Sequence, residues 1–261
     1  MRIVSLCPSL TELVFRLGRG GWLVGVTKFC VEPADEVARL EKVGGTKDPR
    51  VERIVELAPD LVLLNREENR AEDAAQLEAA GVRLHTSLPR DVEGARALVA
   101  ELGALLGRDT VAATLCAEID DACAALDREV RARRPITFCY LIWRRPTMAA
   151  DAGSYLSALL ERAGGVNVLA AANADAAGYP TLEATDLARL DPERVLLSSE
   201  PFPFAAKHAD ELAEATGLPR ERFVLVDGRE LSWHGSRTAT GLLEARRVLA
   251  LEDRHCAAHT G

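Results

Sequence analysis

Aromatic side chains are scarce in this chain, 5% of 261 residues, so the 48% hydrophobic share is carried almost wholly by aliphatic residues. That is enough to build the cores of two modest domains or one large one, with a mean hydropathy near zero, typical of a soluble globular protein. The six cysteines (Cys7, Cys30, Cys116, Cys123, Cys139, Cys256) contain no CxxC pair. Cys116 and Cys123 read as small apolar residues on one helix stripe, a usage that fits a reducing compartment. There is no basic run, and a net charge of −8 points away from nucleic acid or anionic membrane as a partner. No apolar stretch approaches the ~20 residues that span a bilayer. The opening Met1 to Pro8 also lacks the pattern of a secretory signal. The expected localisation is cytoplasmic as written, or periplasmic or extracytoplasmic where a leader has been removed.

Catalytic signatures are missing too. The chain has no GxSxG, no P-loop, no HExxH and no GxGxxG after a strand. Gly44-Gly45-Thr46-Lys47 lacks the spacing of a phosphate loop and reads as a turn. Only Cys30 with His234 could form a nucleophile and base, so the expectation is a protein that is not an enzyme. Five histidines, two of them in the tail, are too scattered for a bare zinc or manganese ion.

What the chain does have is a repeat. Val51 to Leu64 (VERIVELAPDLVLL) is echoed by Thr185 to Leu197 (TDLARLDPERVLL). Each copy reads as a short helix, a proline that stops it, and an apolar run suited to a strand buried on both faces. Two related α/β lobes are expected, with a small ligand between them.

The first lobe reads as strand Ile3 to Leu6, a helix capped by Ser9 or Thr11 with Leu10, Leu13, Val14 and Leu17 inward, and strand Leu23 to Val26. The repeated unit, a helix near Arg70 to Ala80, and Val82 to His85 complete a parallel sheet. From Asp91 the pattern turns helical, and Asp109 to Arg134 would make a rigid connector ~39 Å long. The second lobe runs through strand Ile136 to Leu141, helix Ser154 to Arg162, the second repeat, strand Phe223 to Val226, and a last helix from about Ser236 to Leu251. The domain boundaries are 1–90 for the first lobe, 91–134 for the connector and 135–261 for the second.

Arg2 to Leu13, Val24 to Thr27, Leu40 to Gly45 and Glu52 through Val62 resemble the cobalamin and ferric-siderophore binding proteins of bacterial ABC importers. The resemblance covers the whole chain. It implies two Rossmann-like parallel-sheet lobes joined by a long rigid α-helix, with a ligand clasped between them and no intrinsic cofactor. The implied cargo is a corrinoid, with a ferric siderophore or haem as the alternative. A cytoplasmic corrinoid-handling or sensing protein without an importer is a further one. Partners would be that metal complex and an ABC permease, and the protein is expected to be a monomer.

Loops beyond the carboxyl ends of parallel strands hold Ser9, Phe29, Cys30, Asn65, Trp143, Arg144, Arg145, Tyr179, Trp233, His234 and Arg237. Flat rings at Phe29, Trp143, Tyr179 and Trp233 suit a corrin, porphyrin or catecholate, or else plug the seam between lobes. By resemblance, Phe29, Thr46, Trp143 and Tyr179 fall where cobalamin-binding relatives present aromatic side chains, and Thr46 departs from that pattern. Within Ser232 to Thr238, Ser236 can cap the last helix, while His234 could ligate a metal, bond a propionate or amide, or simply bond a neighbouring loop. Cys30 is either its soft counterpart or a buried thiol. Arg144, Arg145 and Arg237 suit carboxylate or phosphate groups if they point inward. His255-Cys256-Ala257-Ala258-His259 has a metal-like spacing but reads as a disordered tail. The resemblance also makes Glu52 a contact for permease arginines. Its second-lobe equivalent is Thr185, with Glu183 and Asp186 as nearby acids.

Overall fold

Both copies of the repeat fold as their residue pattern predicts. The structure, a computed structural model, describes residues 1–130, 133–170 and 178–250. They divide into two compact units. The first comprises Met1–Pro89, Glu93–Ala117 and Trp233–Ser236, and the second Arg90–Val92, Glu118–Ser232 and the described residues from Arg237 on. No described helix is long and apolar enough to cross a membrane.

The first unit contains β1 (Ile3–Ser5), α1 (Pro8–Arg16), β2 (Leu23–Val26), α2 (Ala34–Val37), β3 (Glu41–Lys42), α3 (Val51–Glu56), β4 (Leu61–Asn65), α4 (Ala71–Ala79) and β5 (Leu84–Ser87). The sheet order is β3-β2-β1-β4-β5, every pair parallel. All five residues of β4 are buried, because helices must cover both faces of a parallel sheet. Val62 and Leu64 pack with Val4, Leu6, Ile54 and Leu77, and the alternate residues Leu61 and Leu63 are buried on the opposite face. In α1 the predicted inward residues Leu10, Leu13 and Val14 are fully buried, as is Leu17 just beyond. The helix starts at Pro8, where its fixed φ and missing N–H fit the first turn, so neither Ser9 nor Thr11 is its cap. That frees the Ser9 hydroxyl for other bonds.

The middle of the chain is α5 (Val92–Leu105) and α6 (Asp109–Val130). The described α6 has 22 residues, ~33 Å at 1.5 Å per residue, with Leu115, Ile119 and Leu126 on its buried stripe. The division between the units falls inside it, between Ala117 and Glu118.

The second unit holds β6 (Ile136–Arg144), β7 (Thr147–Ala150), α7 (Tyr155–Arg162), β8 (Gly165–Asn167), α8 (Ala184–Leu190), β9 (Arg194–Ser198), α9 (Ala206–Thr216), β10 (Phe223–Val226), α10 (Gly228–Ser232) and α11 (Thr238–Leu249). Its sheet runs β10-β9-β6-β7, with β8 also on β6. One element departs from the expected parallel pattern. β6 outlasts Leu141 by three residues, and its far half pairs antiparallel with β7 while its near half pairs parallel with β8. Trp143 and Arg144 therefore stand on a strand rather than in a loop, because β7 supplies the ladder that keeps this stretch extended. α11 starts at Thr238 after Arg237, so Ser236 does not cap it.

The repeat is precise to the backbone. Ala58 and Asp191, each just before its proline, adopt the same left-handed conformation with φ of 46° and 47°. It turns the chain from helix into strand in both units.

Candidate functional site

The first sheet reverses direction between β1 and β4. β2 and β3 are added on one side of β1, β4 and β5 on the other. In open parallel sheets the crevice beyond the carboxyl ends at such a reversal is where ligands bind. Here Cys7 and Ser9 follow β1, Asn65 ends β4, and His234, on a segment that belongs to the first unit, meets them. Asn65 Oδ1 accepts from the main-chain N–H groups of Glu67 (2.9 Å) and Glu68 (3.2 Å). Its Nδ2 must then donate to His234 Nε2, at 3.2 Å. Nε2 is an acceptor, so the imidazole is neutral and carries its proton on Nδ1. Burial pushes its pKa down to about 4. The Ser9 hydroxyl lies 3.3 Å from Nε2 and 3.2 Å from Cys7 Sγ.

Beneath this contact is a buried polar network. Thr11 Oγ1 lies 2.8 Å from Ser5 Oγ, 3.1 Å from the Cys7 carbonyl and 3.1 Å from Cys30 Sγ, and Thr27 Oγ1 is 3.2 Å from the same sulfur. Burial raises the pKa of both thiols, Cys7 to about 12. Neither is a thiolate nucleophile near neutral pH, and Cys30 is a packed thiol. Among the described residues no group of three or more His, Cys, Asp or Glu converges as a metal site would. His234 uses its Nε2 lone pair on a neighbouring loop, the alternative to metal ligation open in the sequence.

The eleven candidate ligand residues separate by exposure. Ser9, Cys30, Thr46, Asn65, Trp233 and His234 are buried. Phe29, after β2, and Trp143, at the end of β6, are the large exposed aromatics among the described residues, at 50% and 39%. Lys28 Nζ sits 5.1 Å from the Phe29 ring centroid. Tyr179 is half-buried.

In the second unit the Trp143 ring meets Phe202 edge-on at 5.9 Å, and Phe202 meets Phe204 at 4.9 Å and His208 at 5.2 Å. The first two contacts are T-shaped and the third is tilted, both arrangements that aromatic pairs favour. The sequence reading missed Phe202, Phe204 and His208. The signal was Pro201-Phe202-Pro203-Phe204 just past β9, where alternating prolines rule out more strand and leave the rings at the carboxyl edge. It also missed Asn69, which repeats the residue type of Asn65 four positions on. Arg144 is ion-paired with Glu211 and Arg237 with Glu230.

Glu52 is exposed in the first turn of α3. Glu183 is exposed at the start of α8, while Asp186 Oδ2 accepts the Glu183 main-chain N–H at 3.1 Å, reducing the freedom of Asp186 to meet a partner. The His255 to His259 stretch lies outside the described residues.

The model of the family described as periplasmic binding protein matches residues 3–218. The vitamin B12-binding protein of Vibrio campbellii is 26% identical over 208 residues, 80% of this chain and 71% of that relative. The solved structure of the periplasmic vitamin B12 binding protein BtuF of Vibrio cholerae aligns with a TM-score of 0.82 at 20% identity, covering 96% of both chains. The periplasmic haem-binding protein RhuT from Roseiflexus sp. RS-1, in apo form, aligns with a TM-score of 0.80 at 24% identity over 95% of this chain and 98% of its own. At these identities the two structures establish a shared fold.

Proposed function

Because the chain belongs to the periplasmic binding protein family, we propose that it is the non-catalytic substrate-binding component of an ABC importer, working outside the cytoplasm, with a corrinoid as cargo. The observation that carries this reading is the pair of exposed rings. In a chain with few aromatics, Phe29 and Trp143 stand exposed at the carboxyl edge of one sheet each, where a flat macrocycle can be stacked with few rotors to immobilise. The name of the Vibrio campbellii relative supports the same cargo.

Haem is the second reading, supported by the RhuT neighbour. One observation ranks it lower. Haem propionates call for cations, and of the three candidate arginines Arg144 and Arg237 are already held by Glu211 and Glu230, which leaves the exposed Arg145 for that role, whereas the amide periphery of a corrinoid needs none. Calorimetric titration with cobalamin, cobinamide, haemin and ferric chelates tests the order, which a preference for haemin would reverse. Phe29→Ala and Trp143→Ala should each weaken corrinoid binding by about 1–3 kcal/mol, the usual worth of an aromatic face taken out of water. Unchanged affinity in both would remove the stacking argument.

Docking to the permease is assigned to Glu52, one-sided because Thr185 occupies the equivalent position in α8. Glu52→Ala should lower stimulation of the cognate importer's ATPase. Equal stimulation by the wild type and this variant would rule the contact out.

A further inference from the structure

The carboxyl edge of the first sheet is assembled from three loops that are far apart in sequence, and one buried side chain is bonded to all of them. Asn69 Nδ2 donates to the Leu6 carbonyl after β1 and to the Thr46 carbonyl after β3, both at 3.0 Å. Its Oδ1 accepts the main-chain N–H of Asn65, at the end of β4, at 2.8 Å. The amide has one workable orientation. Flipped, it would set its oxygen against two carbonyls and its NH2 against an N–H. Asn69 is 7% exposed, so it acts behind the surface rather than on it.

We infer that Asn69 is the positioning residue of the ligand edge in the first unit, fixing three otherwise independent loops in one arrangement before a ligand arrives. This rests on the proposed binding function, since each loop carries a residue at that edge: Ser9, Thr46 and Asn65. The Asn65 main chain is set by Asn69, and the Asn65 side chain then meets His234. A preorganised edge spares the ligand the entropy of ordering three loops. In the second unit the same backbone unit ends in Ser198, whose hydroxyl accepts from Tyr140 at 3.1 Å, so that edge is organised by a different contact.

The experiment is hydrogen exchange and calorimetry on Asn69→Leu and Asn69→Asp, with Leu77→Ala as a destabilised control in the core of the same unit. Asn69→Leu should speed exchange in the peptides around Leu6, Thr46 and Asn65 together, and weaken cobalamin binding by about tenfold through a less favourable entropy. Asn69→Asp keeps an acceptor for the Asn65 N–H but loses both donors, so only the Leu6 and Thr46 peptides should loosen. That variant also serves should Asn69→Leu not fold. Leu77→Ala should lower stability and leave affinity unchanged. Faster exchange confined to residues 65–70, or equal affinity loss in Asn69→Leu and Leu77→Ala, would overturn the inference. The exchange arm needs no ligand, so failure of the wild type to bind any of the metal complexes would count against the binding function alone.

Discussion

The two copies of the helix, proline and strand unit share a backbone and differ at its far end. Through α3 and β4, and again through α8 and β9, the chain makes the same left-handed turn before the same proline and buries all five strand residues. Past the strand they diverge. Asn65 leads into a polar network closed by His234, whereas Ser198 leads into Phe202, Phe204 and the Trp143 ring. The unit is a scaffold: past its strand the first edge is held by directed hydrogen bonds, and in the second the Ser198 hydrogen bonds are joined by ring contacts. Bonds hold one geometry, while rings accept a range of tilts at small cost.

The largest expected effect tests the sameness of the scaffold. Leu63 and Leu196 occupy equivalent, fully buried positions, so Leu63→Ala and Leu196→Ala should each cost about 2–5 kcal/mol. Denaturant titration of both checks this, and a cost near zero in either copy would break the equivalence.

Next comes the difference between the edges. Both edges hold a buried histidine whose pKa burial pushes down, His234 in the first and His208 in the second, and His234 is the one bonded to a strand-end side chain. An unfolded histidine titrates near 6.5 and His234 near 4, so between these values the unfolded chain binds the extra proton. Stability contributed by His234 is complete above about pH 6.5 and is lost as pH falls toward 4, by at most about 1.4 kcal/mol per unit. His234→Gln keeps an acceptor for Asn65 without titrating. Comparing denaturation midpoints at pH 4.5 and 7 should show a shallower fall in the variant, and parallel falls would refute the assignment.

The smallest effect separates the two turns. Asp tolerates the left-handed region better than Ala. Ala58→Gly should therefore be neutral or stabilising by about 0.5 kcal/mol, relief of strain being partly offset by the freer unfolded chain. Asp191→Gly should be mildly destabilising, since it also loses the 2.6 Å pair with Arg222. Thermal melts of the pair resolve the sign.

Much of this was legible in the residues. The repeat, the inward face of α1 and the α6 stripe depend on neighbours within a turn or two of chain. The caps assigned to Ser9 and Ser236 were not, because Pro8 moved the start of one helix and Arg237 preceded the other. Trp143 and Trp233 looked alike as loop aromatics. One is 39% exposed and the other 6%, a difference set by what packs on each ring.

By itself the amino-acid order determined the helix, proline and strand unit and that it occurs twice, since periodicity and proline act locally, whereas the extension of β6 through Arg144 came from its pairing with β7. Only the tertiary structure decided that His234 would meet Asn65 across 169 positions and Ser9 across 225. It also decided that Asn69 would bind three loops together, that both thiols would be buried, and that Phe29 and Trp143 would stay exposed. Hydrogen-bond partners and burial are properties of where the chain returns in space, and no local pattern encodes that path.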